Sequence, residues 1–252
     1  MSPVRARVAR VAGGGLAVLL ALASPAGAGG CRLALVLALD VSSSVDEAEY
    51  GLQREGLARA LVDPEVARLF LTGDPVALYV FEWASPSMQE ALLPDWVLVE
   101  TEDDLARVAT TLLEHPRTGA HDRQRSTAVG AALIHAGEAL GAASDCAART
   151  VDVSGDGRSN VGFDPRYVYA NYPFDGVTVN ALVVSSGVQG GGHPSGDDEL
   201  TLWFQSNVLR GRDAFWVLAD GYEDFQRAMT AKLLRELTTP AVSGWPAEGH
   251  AG

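Results

Sequence analysis

The sequence predicts an α/β fold with a mostly parallel sheet. Three observations carry this. The first apolar run, Leu33–Leu39, is continuous rather than alternating, as in a strand covered on both faces. From there to Leu237, apolar runs and amphipathic segments alternate almost without a break, the βαβα pattern of a parallel sheet. No internal repeat or linker interrupts the alternation, so one domain over residues 31–238 is expected.

The elements follow in order. After Leu33–Leu39, a helix is expected over Asp46–Leu61, with Tyr50, Leu57, Ala60 and Leu61 on one side. Val76–Trp83 (VALYVFEW) reads as the next strand, followed by a short strand pair around Glu90–Leu93 and Trp96–Leu98. Thr101 caps a helix running to Glu114, with Glu102, Asp103 and Asp104 in its favourable first turn. Ser126–Ala142 reads as an Ala-rich helix and Thr150–Ser154 as a strand. Val177–Val184 is a strand announced by the turn pair Asp175-Gly176. Leu200–Leu209 reads as helix, and Asp197, Asp198 and Glu199 most simply start it. Ala214–Leu218 is a final strand. The segment Gly221–Leu237 closes the fold, with Tyr222, Phe225, Met229, Leu233 and Leu237 at helical spacing. The glycine-rich loop Ser185–Gly196 and the tail 239–252 carry no such pattern.

The ends and the charge say where the chain works. Arg5, Arg7 and Arg10 precede an apolar run from Val11 to Ala23, and Ala26-Gly27-Ala28 fits an A-x-A cleavage pattern. Residues 1–28 therefore read as a signal peptide, and export to the periplasm or beyond is expected. No later segment is apolar enough to cross a bilayer. The whole chain carries 19 basic and 32 acidic residues; without the leader, 16 basic and 32 acidic residues leave a net charge of −16. Such a surface repels nucleic acid and anionic lipid, and suits divalent cations or basic partners, besides keeping an exported protein in solution.

Two cysteines survive removal of the leader. Cys31 lies nine residues before Asp40 and Cys146 ten before Asp156. If the two strands are parallel neighbours, both cysteines fall at one sheet edge, where a disulfide is geometrically reasonable and export permits it. Ala28-Gly29-Gly30-Cys31 also has a faint likeness to a lipoprotein processing site, which keeps lipid anchoring at Cys31 open.

The chemistry gathers at strand ends, where parallel sheets bind their ligands. Asp40, Ser42 and Ser44 form a D-x-S-x-S row after the first strand. Asp156, in VDVSGDGRSN, follows the strand placed beside it, and Ser126-Thr127 follows a polar loop. Carboxylates from Asp40 and Asp156 and hydroxyls from Ser42, Ser44 and Thr127 make an all-oxygen set. It suits Mg²⁺, with Mn²⁺ and Ca²⁺ as alternatives. The alternative reading of the same residues is as helix caps: Ser44 or Asp46 for the first helix, Ser126 or Thr127 for the Ala-rich helix.

D-x-S-x-S, the Thr of STAVGAAL and the Asp of SGDG resemble the metal-ion-dependent adhesion site of von Willebrand factor type A domains. The resemblance spans about Leu33 to Leu237. It implies a doubly wound sheet of six strands with helices on both faces. It also implies Mg²⁺ on Ser42, Ser44 and Thr127, with Asp40 and Asp156 holding it directly or through water, and an acidic group of a protein partner completing the shell. LDVSSSVD, LQREGLARAL and AMTAKLLREL are further similar to an uncharacterised bacterial subfamily with this fold.

Other chemistries fit less well. An aspartyl-phosphate mechanism wants a second Asp where Ser42 stands. A phosphate-binding loop wants Gly-Lys, but the only lysine, Lys232, lies in the last helix. Ser154 lacks the G-x-S-x-G frame. His115, His121, His135, His193 and His250 show no zinc-ligand spacing. Trp83, Trp96, Trp203 and Trp216 read as core or groove residues. The expected function is metal-dependent protein binding rather than catalysis. A metal-assisted hydrolase and a purely structural domain are the alternatives.

Overall fold

Every side chain of β1 (Leu33–Asp40) is buried, and the two faces of the strand explain why. Leu33, Leu35, Leu37 and Leu39 point into one core, while Ala34, Val36 and Ala38 point into another. Side chains alternate along a strand, so one continuous apolar run supplies both cores. The computed structural model describes residues 30–119, 125–143, 145–185 and 196–238. The leader 1–28, most of the loop Ser185–Gly196 and the tail 239–252 lie outside the described residues.

The first core is closed by α1 (Glu47–Leu61), α2 (Pro64–Phe70), α3 (Glu102–Glu114) and α7 (Phe225–Thr238). The second is closed by α4 (Val129–Ala142), α5 (Pro165–Asn171) and α6 (Gly196–Asn207). Helices thus cover both faces, as a doubly wound sheet requires. β2 (Val76–Trp83), β5 (Ala148–Gly155), β6 (Val177–Val184) and β7 (Trp216–Ala219) run parallel to β1. The sheet has seven strands rather than the expected six, in the order β3-β2-β1-β5-β6-β7 with β4 also on β2. The sheet is nonetheless six positions wide. β3 (Gln89–Ala91) pairs antiparallel with Phe81–Trp83 and β4 (Val97–Val99) with Val76–Leu78, so both short strands share one edge.

Two short helices were not expected from the sequence. Both α2 and α5 begin with an Asp-Pro pair, in which Asp63 or Asp164 caps and the proline occupies the first turn. The disulfide is present: Cys31 and Cys146 are bonded, with their Cα atoms 4.5 Å apart, just before β1 and β5. A sulfur so bonded cannot carry a thioether-linked lipid, which sets aside the lipoprotein reading of Cys31.

A polar cluster sits inside the first core. Lys232, fully buried on α7, lies 2.8 Å from Asp152 and 2.6 Å from Glu236. Asn180, the register partner of Asp152, donates to Glu236 and accepts from the Phe215 amide. Two carboxylates against one ammonium leave excess negative charge, and burial pushes Asp152 up to about 7 despite Lys232.

Candidate functional site

β1 and β5 are adjacent and parallel, with Leu39 opposite Ser154, so their carboxyl ends deliver Asp40 and Asp156 to the same place. Asp40 is completely buried; its Oδ1 accepts from the Ser42 amide at 2.8 Å, and its Oδ2 has no hydrogen-bond partner. The Ser42 and Ser44 hydroxyls are 3.1 Å apart, and Ser44 donates to Asp156 Oδ1 at 2.7 Å. The floor of the site, Asp40 and Ser42, is thus buried, while Ser44 at its mouth meets solvent.

Thr127 joins from the segment leading into α4. Its amide donates to Asn160 Oδ1 at 3.0 Å and its carbonyl accepts from the Asn160 amide at 2.9 Å, which ties it to the loop after Asp156. A β-carbon at Gly157 would sit 3.9 Å from the Thr127 hydroxyl, so this hydroxyl abuts the Asp156 loop. A β-carbon at Gly155 would lie 3.0 Å from Asp40 Oδ2; only glycine leaves that oxygen uncrowded.

The sequence-derived residues Asp40, Ser42, Ser44, Thr127 and Asp156 are therefore drawn together from three loops. The capping alternatives resolve in the same direction. Asp46 caps α1 in a reciprocal box with Glu49, which leaves Ser44 to Asp156. α4 starts only at Val129, its cap Ala128 makes no side-chain bond, and neither Ser126 nor Thr127 caps it. Thr101 caps α3 as expected, with Asp104 reciprocating.

The electrostatics are those of an acid pair held too close. Burial pushes Asp40 up to about 8, the charge on Asp156 adds to the rise, and the Ser42 amide and Arg117 oppose it. Asp156 is raised as well, chiefly by burial. Tyr222, just before α7, brings a buried hydroxyl up to Asp156. Burial and then Asp156 and Asp40 push it well above the ordinary tyrosine range. Its helical spacing marked Tyr222 only as core, and nothing in the sequence points Asn160 or Tyr222 at the site. His135 is half-buried in the middle of α4, hydrogen-bonded to Tyr79 at 3.2 Å and packed at a tilt against Phe81; its pKa is lowered by burial. Trp83 is buried core, and His121 lies outside the described residues.

Among the described residues, no group of three or more His, Cys, Asp or Glu is arranged to hold a metal. The donor set here has two carboxylates and depends on hydroxyls for the rest. It still fits a hard cation, because a buried, unpartnered carboxylate oxygen beside a second raised carboxylate is what such an ion would satisfy.

This architecture is that of von Willebrand factor type A domains, and solved structures bear that out. Proximal thread matrix protein 1 from the mussel byssus, with a zinc occupied MIDAS motif, superposes with a TM-score of 0.54 at 19% identity, covering 82% of this chain and 48% of that one. The pilus adhesin SpaC from Lactobacillus rhamnosus GG gives 0.58 at 13%, covering 82% and 30%. A von Willebrand factor type A protein from Catenulispora acidiphila gives 0.52 at 11%, covering 82% and 43%. The chain spans about half of the mussel protein or less of the other two, and at such identities the likeness is one of fold. Over residues 30–241 the chain matches a family described as a protein of unknown function (DUF1194), and it belongs to that family. No curated protein is detectably similar in sequence.

Proposed function

We propose that this chain is an exported binding module that grips a protein partner through a divalent cation, Mg²⁺ in the first instance. The observation that carries the reading is the buried Asp40 Oδ2, unpartnered beside a second carboxylate and three hydroxyls at converging strand ends. Ser42, Ser44 and Thr127 would hold the ion through their hydroxyls, and Asp40 and Asp156 would neutralise its charge. When bound, the cation supplies a Lewis-acidic position that a partner's carboxylate can fill. The protein's own part is to strip water from Asp40 and Ser42, to hold the hydroxyls in place, and to leave the Ser44 side open.

Export is supported by the leader-like residues 1–28, by the disulfide, and by the acidic balance. Among the described residues, no helix is long and apolar enough to cross a membrane. A non-enzymatic role is supported by the absorption of His135 into packing against β2, and two of the three neighbours named above are a matrix protein and an adhesin. Titration calorimetry on chelator-stripped protein tests the reading. Saturable binding of Mg²⁺ or Mn²⁺ by wild type, lost in Asp40→Ala with the circular dichroism unchanged, is expected. Absence of binding at millimolar cation would end it.

A further inference from the structure

The site loop is held from behind by two buried arginines that take no part in the donor set. Arg117 follows α3; its side chain is 5% exposed, and its guanidinium reaches three carbonyls of the loop, at its start and at its end. It donates to Val45 O at 2.5 Å, to Asp46 O at 3.1 Å and to Val41 O at 3.5 Å. Arg125, two residues before Thr127, donates from Nε to the same Val41 carbonyl at 2.7 Å. Its own carbonyl accepts from the Ser43 amide at 2.9 Å and the Ser43 hydroxyl at 2.7 Å. Backbone groups on both sides of Ser42 and Ser44 are thereby pinned to the segment that presents Thr127.

The arginines are themselves fixed. Arg117 stacks over the Tyr50 ring at 4.9 Å and reaches Glu47 at 3.3 Å. The Tyr50 hydroxyl donates to the fully buried Glu82 at 2.7 Å, and Glu82 also accepts from the Thr118 amide at 2.8 Å. A chain of contacts therefore runs from the carboxyl end of β2, through Glu82 and Tyr50, to the carbonyls of the cation loop.

We infer that Arg117 and Arg125 are positioning residues for the cation site, locking the 41–46 loop to the Thr127 segment so that the three hydroxyls are presented together. The inference rests on the metal-binding reading above. A planar guanidinium is suited to this role because it engages several carbonyls in fixed directions, which an ammonium cannot do.

The sign of the effect separates positioning from charge. As a bare positive charge close to Asp40, Arg117 would repel the incoming cation, and its removal would tighten binding. As a positioning residue, its removal loosens the hydroxyls and weakens binding. The test is Mn²⁺ titration calorimetry on chelator-stripped wild type, Arg117→Met, Arg117→Lys and Ser43→Ala, with thermal unfolding alongside. The expected result is a loss of Mn²⁺ affinity of about tenfold or more in Arg117→Met, not rescued by Arg117→Lys, as the charge-assisted bonds to the loop carbonyls are lost together. Ser43→Ala, which keeps the fold and removes one tie to Arg125, is expected to lose affinity severalfold. Unchanged or tighter binding in Arg117→Met overturns the inference. If that variant does not fold, wild-type affinity in Ser43→Ala overturns it equally. If wild type binds no Mn²⁺, the metal-binding reading itself falls.

Discussion

Asp40→Asn is expected to stabilise the cation-free protein and to abolish cation binding. Asp40 is fully buried and its carboxyl is pushed up to about 8, from an ordinary value of 3.8. A carboxylate raised in the folded state contributes its stabilising, protonated form below about pH 4. That contribution is lost progressively as pH rises toward 8, because the unfolded chain ionises first. At pH 7 the loss is at most on the order of 4 kcal/mol for this one group. In a domain of this size, each kcal/mol moves the melting temperature by roughly 2–4 °C. An amide carries no charge, so Asp40→Asn removes the penalty while still accepting the Ser42 amide bond. The assay is thermal unfolding of wild type and variant at pH 7, in chelator and in millimolar Mg²⁺. In chelator the variant melts several degrees higher. In Mg²⁺ the order reverses, because only wild type gains binding energy. A variant that melts lower in chelator would show that the ionised Asp40 is already well satisfied, and the cation argument would lose its basis.

Four further outcomes follow from the structure. Lys232→Met should destabilise by about 3–5 kcal/mol, since Asp152 and Glu236 would lose the ammonium placed between them. With Asp152 raised to about 7, chelated wild type should also lose stability as pH rises from about 4 to 7, and Asp152→Asn should flatten that slope in denaturant titrations. Gly155→Ala places a β-carbon 3.0 Å from Asp40 Oδ2, so calorimetry should find Mn²⁺ affinity reduced tenfold or more with the far-ultraviolet dichroism of wild type. Reducing the Cys31–Cys146 disulfide, which spans 115 residues, frees the unfolded chain and should lower stability by about 4–5 kcal/mol, read as a drop in melting temperature under reductant.

What the sequence made legible is what depends on local pattern. β1, β2 and β6 were read closely because strands buried on both faces are uninterrupted apolar runs. α3 was read to its ends because Thr101 and the acids after it form a complete start signal. The α2 and α5 helices have only seven residues each, too few for helical periodicity to register; their Asp-Pro starts were the available sign. The start of α4 was placed too early. Ser126-Thr127 has the composition of a cap, but Asn160, far along the chain, takes the Thr127 amide instead.

The same division holds at the site. Its five candidate residues could be read because Asp40, Ser42, Ser44 and Asp156 follow strands and Thr127 precedes a helix, in a recognisable order. Arg117, Arg125, Glu82, Tyr222 and Asn160 could not, because each acts on a partner more than thirty residues away in sequence. Their roles arise only when the strand ends meet. The sheet count differed for a related reason: β3 and β4 share one edge of β2, an arrangement set by three-dimensional register rather than by local sequence.

The most direct test is anomalous diffraction from crystals of the protein grown or soaked with Mn²⁺. The account predicts a single strong anomalous peak at the carboxyl ends of β1 and β5, about 2.2 Å from the hydroxyls of Ser42, Ser44 and Thr127. Manganese bound elsewhere on this acidic surface, with nothing among these three hydroxyls, would contradict it.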